Sequence, residues 1–299
     1  MDLGVSAIGQ GLLYGLLGVG LFLTFRILDF PDMTVEGTFP FGAAVAVSAI
    51  THGIHPLVAT LMAMLAGMLA GLTTGLLSTK GHIPVLLAGI LVMTGLFSIN
   101  LRVMGRANLS LLNQANLFDN PFLKSLPLYV DSVVVGAVVC AIVVIALILF
   151  LNTQLGQAFI AAGDNPTMAR SLGINPAHQQ VLGLVLGNGL IGLSGGLIAQ
   201  NNGYADVNMG IGVIVIGLAA IIIGEVVFGQ LSLSQRLLAT VIGSVLYRFV
   251  LLIVLKLGFD PDDLKIISAI VLAVAIMVPQ IESRLRIKRV LRNGVKANG

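Results

Sequence analysis

The chain has 299 residues, 57% of them hydrophobic and 10% charged, with a net charge of +3, whereas ordinary soluble domains carry about a quarter charged residues. So few charges cannot cover the surface of a soluble fold, and the lack of any period or polarity excludes collagen-like and disordered classes. Apolar stretches of about 17 to 25 residues, each long enough to cross a hydrocarbon core as a helix, recur through most of the sequence and predict an all-α polytopic membrane bundle.

The first span is predicted from about Leu3 to Phe25. It starts almost at Met1 without a basic segment and is too long for a signal-peptide core, so it reads as a retained span. Next comes Leu28 to Ala43, with Pro31, Pro40, Gly37, Gly42 and the acids Asp29, Asp32 and Glu36. Two prolines and two glycines predict one broken helix near residues 29–42. Irregular backbone and acids at membrane depth are tolerated only when buried in protein or lining a cavity. Asp32, Thr34 and Glu36 are therefore candidates for a solute pathway; the plainer reading is a turn between two spans.

The remaining spans are predicted at Thr38–Thr51, Leu57–Thr79, Ile83–Ile99, Ser132–Leu151, Ala177–Ala199, Met209–Ile223, Leu237–Leu255 and Leu264–Val278. That makes about nine, with eight to ten compatible with the boundaries, in a single transmembrane domain over 1–299. Arg284, Arg286, Lys288, Arg289, Arg292 and Lys296 crowd the tail at 284–299, which marks the cytoplasmic side. Counting back places Arg236, Arg170, Lys80 and Arg26 at cytoplasmic ends and the N-terminus outside. The long Asn100 to Asp131 segment then falls outside despite Arg102, Arg106 and Lys124. With no aromatic residues interleaved in the tail and no folded module around it, no nucleic-acid partner is expected.

Glycines at spacing four, Gly67, Gly71 and Gly75 in the third span and Gly183 with Gly187 and Gly192 with Gly196 in the sixth, line single helix faces and permit close backbone packing. Asn188 lies midway along the sixth span, as an interhelical hydrogen bond or a solute contact. Glu225 is placed just after the seventh. Gln200, Asn201, Asn202 and Asp206 are expected outside, solvated or facing a receptor. His52, His55, His82 and His178 lack ligand spacing, and Cys140 is alone in an apolar run, so no metal site or disulfide is expected.

The polar stretch from Gly156 to Pro176 carries the sharpest signal. Asp164 or Asn165 can cap a helix with Pro166 in its first turn, and Gly173 can end it in a left-handed conformation. A helix of about two turns, near 164–173, would present Met168, Arg170 and Leu172 as a knob for another protein; alternatively it lies on lipid headgroups. Asn175 and Pro176 repeat the start signal for the next span.

At Gly156, Ala161, Gly163, Asn165, Ala169, Gly173 and Ile174 the spacing resembles a cytoplasmic segment of permease subunits of ATP-binding-cassette importers, in the group serving branched-chain amino acids, ribose and related solutes. The resemblance extends through Thr79-Lys80-Gly81, the glycine-rich sixth span, Leu218 to Gly224, and Gly243. It implies that Gly163 to Gly173 forms a coupling helix docking on an ATPase. The stretch Asp32-Met33-Thr34-Val35-Glu36-Gly37 is similar to a subfamily assigned to tryptophan and tyrosine uptake, which implies an aromatic amino acid as solute. The implied partners are a second copy of the chain, two ATPase subunits that bind ATP-Mg, an extracytoplasmic binding protein and membrane lipid, in a bacterial plasma membrane. No G-x-x-x-x-G-K-[ST] phosphate loop occurs, so neither a cofactor in this chain nor enzymatic turnover is expected. An ion-coupled secondary transporter would need two interrupted helices in matching positions and shows one; a non-catalytic membrane scaffold is the other alternative.

Overall fold

A computed structural model describes residues 2–112, 114–119, 127, 129–229, 231–260 and 263–277. The helices are α1 (Asp2–Phe22), continued by a π-turn over Leu23–Ile27, α2 (Val35–Thr51), α3 (Pro56–Thr79), α4 (Val85–Met104), α5 (Val130–Leu151), α6 (Gln154–Asp164), α7 (Pro166–Ser171), α8 (Pro176–Asn202), α9 (Val213–Phe228), α10 (Leu233–Lys256) and α11 (Leu264–Met277). Among the described residues seven helices are long and apolar enough to cross a membrane, and α2 and α11 are shorter apolar helices. The chain is therefore a multi-pass membrane protein. The basic tail at 284–299, and the last residue of the expected ninth span, lie outside the described residues.

The bundle is built around α8. Asn175 starts it by accepting the Ala177 N–H (3.0 Å), Pro176 occupies its first turn, and Gly203 ends it at φ 79°. Its glycines let three helices approach backbone to backbone. A Cβ on Gly67 or Gly71 of α3 would run into the carbonyls of Asn188 or Leu184, and one on Gly75 would press on Val181. From α8 itself, Gly192 and Gly196 face Ala63 of α3, and Gly187 faces the Gly20 carbonyl of α1. Such contacts replace the hydrophobic drive that lipid cannot supply between membrane helices. On its other side α1 packs against α5 and α10, with Ser244 Oγ donating to Gly11 O (2.6 Å) and Cys140 Sγ to Leu12 O (3.0 Å). The side chains of Leu13, Leu16, Leu17, Leu21 and Phe22 fill the core between them.

Two strands close one end of the bundle. Asn108–Ser110 pairs antiparallel with Tyr204–Asp206, in the register Asn108 to Asp206 and Ser110 to Tyr204. The sequence reading held no strands, because three-residue segments carry too little pattern. By the order and direction of the helices, Arg26, Lys80, Arg170 and Arg236 fall at the opposite end, where α6 and α7 also lie.

Several boundaries differ from the sequence expectation. The fourth span continues past Ile99 to Met104, so Asn100 and Arg102 are helical rather than in a loop, and Asn100 is buried. The seventh runs to Phe228 and contains Glu225, whose carboxylate pairs with Arg26 at 2.7 Å. Gln200 is buried rather than solvated, because its amide spans a gap: Nε2 donates to Thr60 Oγ1 (2.8 Å) and Oε1 accepts the Leu117 N–H (3.1 Å). For Glu225 and Gln200 a neighbouring element supplies the polar partner that lets the residue sit within the bundle.

Candidate pathway and coupling surfaces

The helical break falls at residues 28–34, narrower than the predicted 29–42. The chain leaves the π-turn, passes Asp29 at φ 55°, and re-enters a helix at Val35 rather than Thr38. Asp32 causes the early restart, since its Oδ1 accepts the Thr34 N–H at 2.9 Å. Pro40 lies inside α2 instead of ending it. A proline there removes the N–H that would serve the carbonyl four residues earlier, that of Glu36. Gly210, from the turn before α9, sits directly against that carbonyl and the proline ring, where any side chain would collide.

Three of the four candidate pathway residues meet in one buried network. Asn188 Nδ2 donates to Asp32 Oδ2 (2.7 Å) and to Leu184 O (3.1 Å), while Asn188 Oδ1 accepts from Thr38 Oγ1 (2.7 Å). The hydroxyls of Thr34 and Thr74 lie 2.8 Å apart. Asp32, Thr34, Thr38, Thr74 and Asn188 are all fully buried. Every polar atom of Asn188 and both carboxyl oxygens of Asp32 therefore have partners, so the network joins α2, α3 and α8 across the break without leaving a desolvated group unmet.

Glu36 is not part of it. In the first turn of α2 it faces the other way, and its Oε1 accepts the Gly212 N–H (3.1 Å). It lines a half-open cavity of about 250 Å³ between α2, α4 and the turn before α9, together with Pro40, Met93, Phe97, Asn100 and Asn208. The sequence reading missed Thr74 and Asn100. The signal for Asn100 was its spacing from Met93 and Phe97, seven and three residues earlier, which puts all three on one face of α4.

The polar stretch at the basic end forms two helices, not one. Thr153 caps α6 by accepting the Gly156 N–H (3.2 Å), and Asp164 is its last residue; Asn165 caps α7 by accepting the Met168 N–H (3.0 Å). Gly173 stands at φ 82°, with Ile174 N–H donating to Ala169 O (3.0 Å) and Gly173 N–H to Arg170 O (3.1 Å), the paired bonds of a left-handed helix stop. Ala169 is buried against the bundle, while Met168, Arg170 and Leu172 are exposed. Gly163 lies against the Ile27 carbonyl and Leu28, and Phe159 of α6 is fully buried beside Gly183. The capped turn is thus pinned to the bundle on one side and free on the other.

A bundle of apolar helices with a buried polar break between its first two defines a multi-pass membrane protein. Comparison with known proteins agrees: residues 5–278 match the family described as branched-chain amino acid transport system / permease component, and the chain belongs to that family. It is 42% identical over 268 residues to a tyrosine transport system permease protein of Clostridioides difficile (strain R20291), covering 90% of this chain and 88% of that one. It is 34% identical over 282 residues to an uncharacterized protein of Rickettsia prowazekii (strain Madrid E), covering 92% and 97% respectively. No solved structure matches.

Proposed function

We propose that this permease is the membrane-spanning subunit of an ATP-binding-cassette importer for an aromatic amino acid, with tyrosine as the leading solute. Two copies form the pathway, two separate ATPase subunits bind ATP-Mg and dock at α7, and an extracytoplasmic binding protein delivers the solute. The observation that carries this reading is the 42% identity, over nine-tenths of the chain, to a tyrosine transport system permease. The exposed, rigidly capped α7 supports an ATPase dock, and the break beside Asp32 and Glu36 supports a pathway. The basic residues at the α7 end, and the run of Lys and Arg in the sequence at 284–299, support assignment of the α7 end to the cytoplasmic side of a bacterial plasma membrane. The N-terminus and the strand pair then face outward.

The test is reconstitution. Vesicles containing the chain, its ATPase and its receptor should import labelled tyrosine only with ATP, and the chain alone should be dimeric and hydrolyse no ATP. Asp32→Asn, Thr34→Val and Glu36→Gln should each reduce uptake at unchanged protein level. Robust ATP turnover by the chain alone, or import that needs no ATPase, would overturn the proposal.

A further inference from the structure

The cavity lined by Glu36 and Asn100 contains two polar groups that the fold leaves unused. Asn100 is 1% exposed, yet neither its Oδ1 nor its Nδ2 has a hydrogen-bond partner among the described residues. A buried amide with both ends unmet is costly, and native proteins keep such groups where something else completes them. Glu36 uses one carboxylate oxygen on the Gly212 N–H and has no cationic side chain paired with it among the described residues. The rest of the wall is largely apolar, from Pro40, Met93 and Phe97, with Thr94 and Asn208 as its other polar residues, and Phe97 is 46% exposed at the rim. At about 250 Å³, the space lies near the roughly 300 Å³ lower bound of small-molecule sites and suits one small solute.

We propose that this cavity binds the α-ammonium group of the amino acid in transit. Glu36 supplies the counter-charge, and Asn100 supplies a neutral acceptor for the ammonium and a donor for the neighbouring carboxylate. The solute's side chain lies against Pro40, Met93 and Phe97. The chemistry follows from the lining: a lone carboxylate in a poorly hydrated wall attracts a cation strongly, and an amide with a free donor and a free acceptor complements a zwitterion. Gly212 holds Glu36 in place while leaving its second oxygen available. Tying Glu36 to the turn between the Tyr204–Asp206 strand and α9 also links occupancy of the cavity to the outward-facing end of the bundle. The inference rests on the amino acid permease reading.

The experiment uses the full chain in lipid nanodiscs and labelled L-tyrosine, with two competitors: tyramine, which keeps the ammonium and lacks the carboxylate, and 3-(4-hydroxyphenyl)propionate, which has the reverse. Tyrosine should bind, tyramine should displace it about tenfold better than the propionate, and Glu36→Gln should weaken binding about tenfold or more. The Gln side chain still accepts from Gly212, so the fold is retained. Asn100→Leu should lower affinity while raising the melting temperature of the empty protein, a combination that a purely structural asparagine would not give. Equal competition by both analogues, unchanged affinity in Glu36→Gln, or no binding up to about 10 mM overturns the proposal. Uptake by the assembled vesicles separates the two readings: import without binding in nanodiscs removes the cavity site and leaves the permease, whereas binding without ATP-driven import removes the importer reading and leaves the site.

Discussion

Replacing Asn188 with leucine tests the buried network most directly. The substitution keeps the branched heavy-atom shape, with bulkier methyls, and removes two bonds of 2.7 Å, one donated to Asp32 and one accepted from Thr38. By soluble-protein values, a lost bond to a carboxylate costs about 1.5–3 kcal/mol and a stranded hydroxyl about 1 kcal/mol, giving about 2.5–4 kcal/mol. In membranes the denatured helices find other partners, and measured bonds average about 0.6 kcal/mol, which sets a floor of about 1.2 kcal/mol for the two. Both Asp32 and Thr38 are fully buried, so the higher range applies. Unfolding by denaturing detergent in mixed micelles reads the loss, and a cycle with Asp32→Ala reads the coupling between the two side chains, expected above about 1 kcal/mol. Loss below about 0.5 kcal/mol with no coupling would show that the break is held by backbone packing alone.

Other outcomes follow from single contacts. Gly71→Leu should separate α3 from α8 and lower stability by more than about 2 kcal/mol, because its Cβ would meet the Leu184 backbone, whereas Gly95→Ala, with nothing within 4 Å, should stabilise by about 0.5–1 kcal/mol in the same unfolding assay. Cys140, 4% exposed and bonded to Leu12 O, should resist maleimide in the native protein and react once the bundle is unfolded, read by mass spectrometry. Gly173→Val should disfavour the left-handed stop by about 1–2 kcal/mol. That variant and Arg170→Glu should insert normally yet co-purify poorly with the ATPase, or leave its turnover unresponsive to loaded receptor; full assembly and full stimulation in both would reduce α7 to a connection.

The membrane class and most helices were legible because hydropathy over twenty residues averages away local error. The caps at Asn165 and Asn175 and the stop at Gly173 were legible too, since each is a short-range conflict between side chain and backbone. What pattern could not supply was partnership. Gln200 looked solvated until Thr60 and Leu117 stood beside it, and Glu225 looked terminal until Arg26 faced it. Asp32 and Glu36, four residues apart, read as one acidic cluster; in space one serves the network with Asn188 and the other lines a separate cavity. Pro40 was read as a breaker because proline's cost in a helix is local, while Gly210, 170 residues later in sequence, leaves room for it.

The contact between Gly163 and Ile27 has a mechanical side. It is backbone against backbone, with no side chain between them to change rotamer and absorb a displacement. Five residues beyond Ile27 stands Asp32, and the intervening chain is not helical, held by bonds such as Phe30 N–H to Thr24 O at 3.2 Å. A displacement of α6 would therefore meet the non-helical stretch between the first two spans with no side chain in between. The bundle sets one end of α6 against the edge of the break, and the glycine is the bearing surface where they touch.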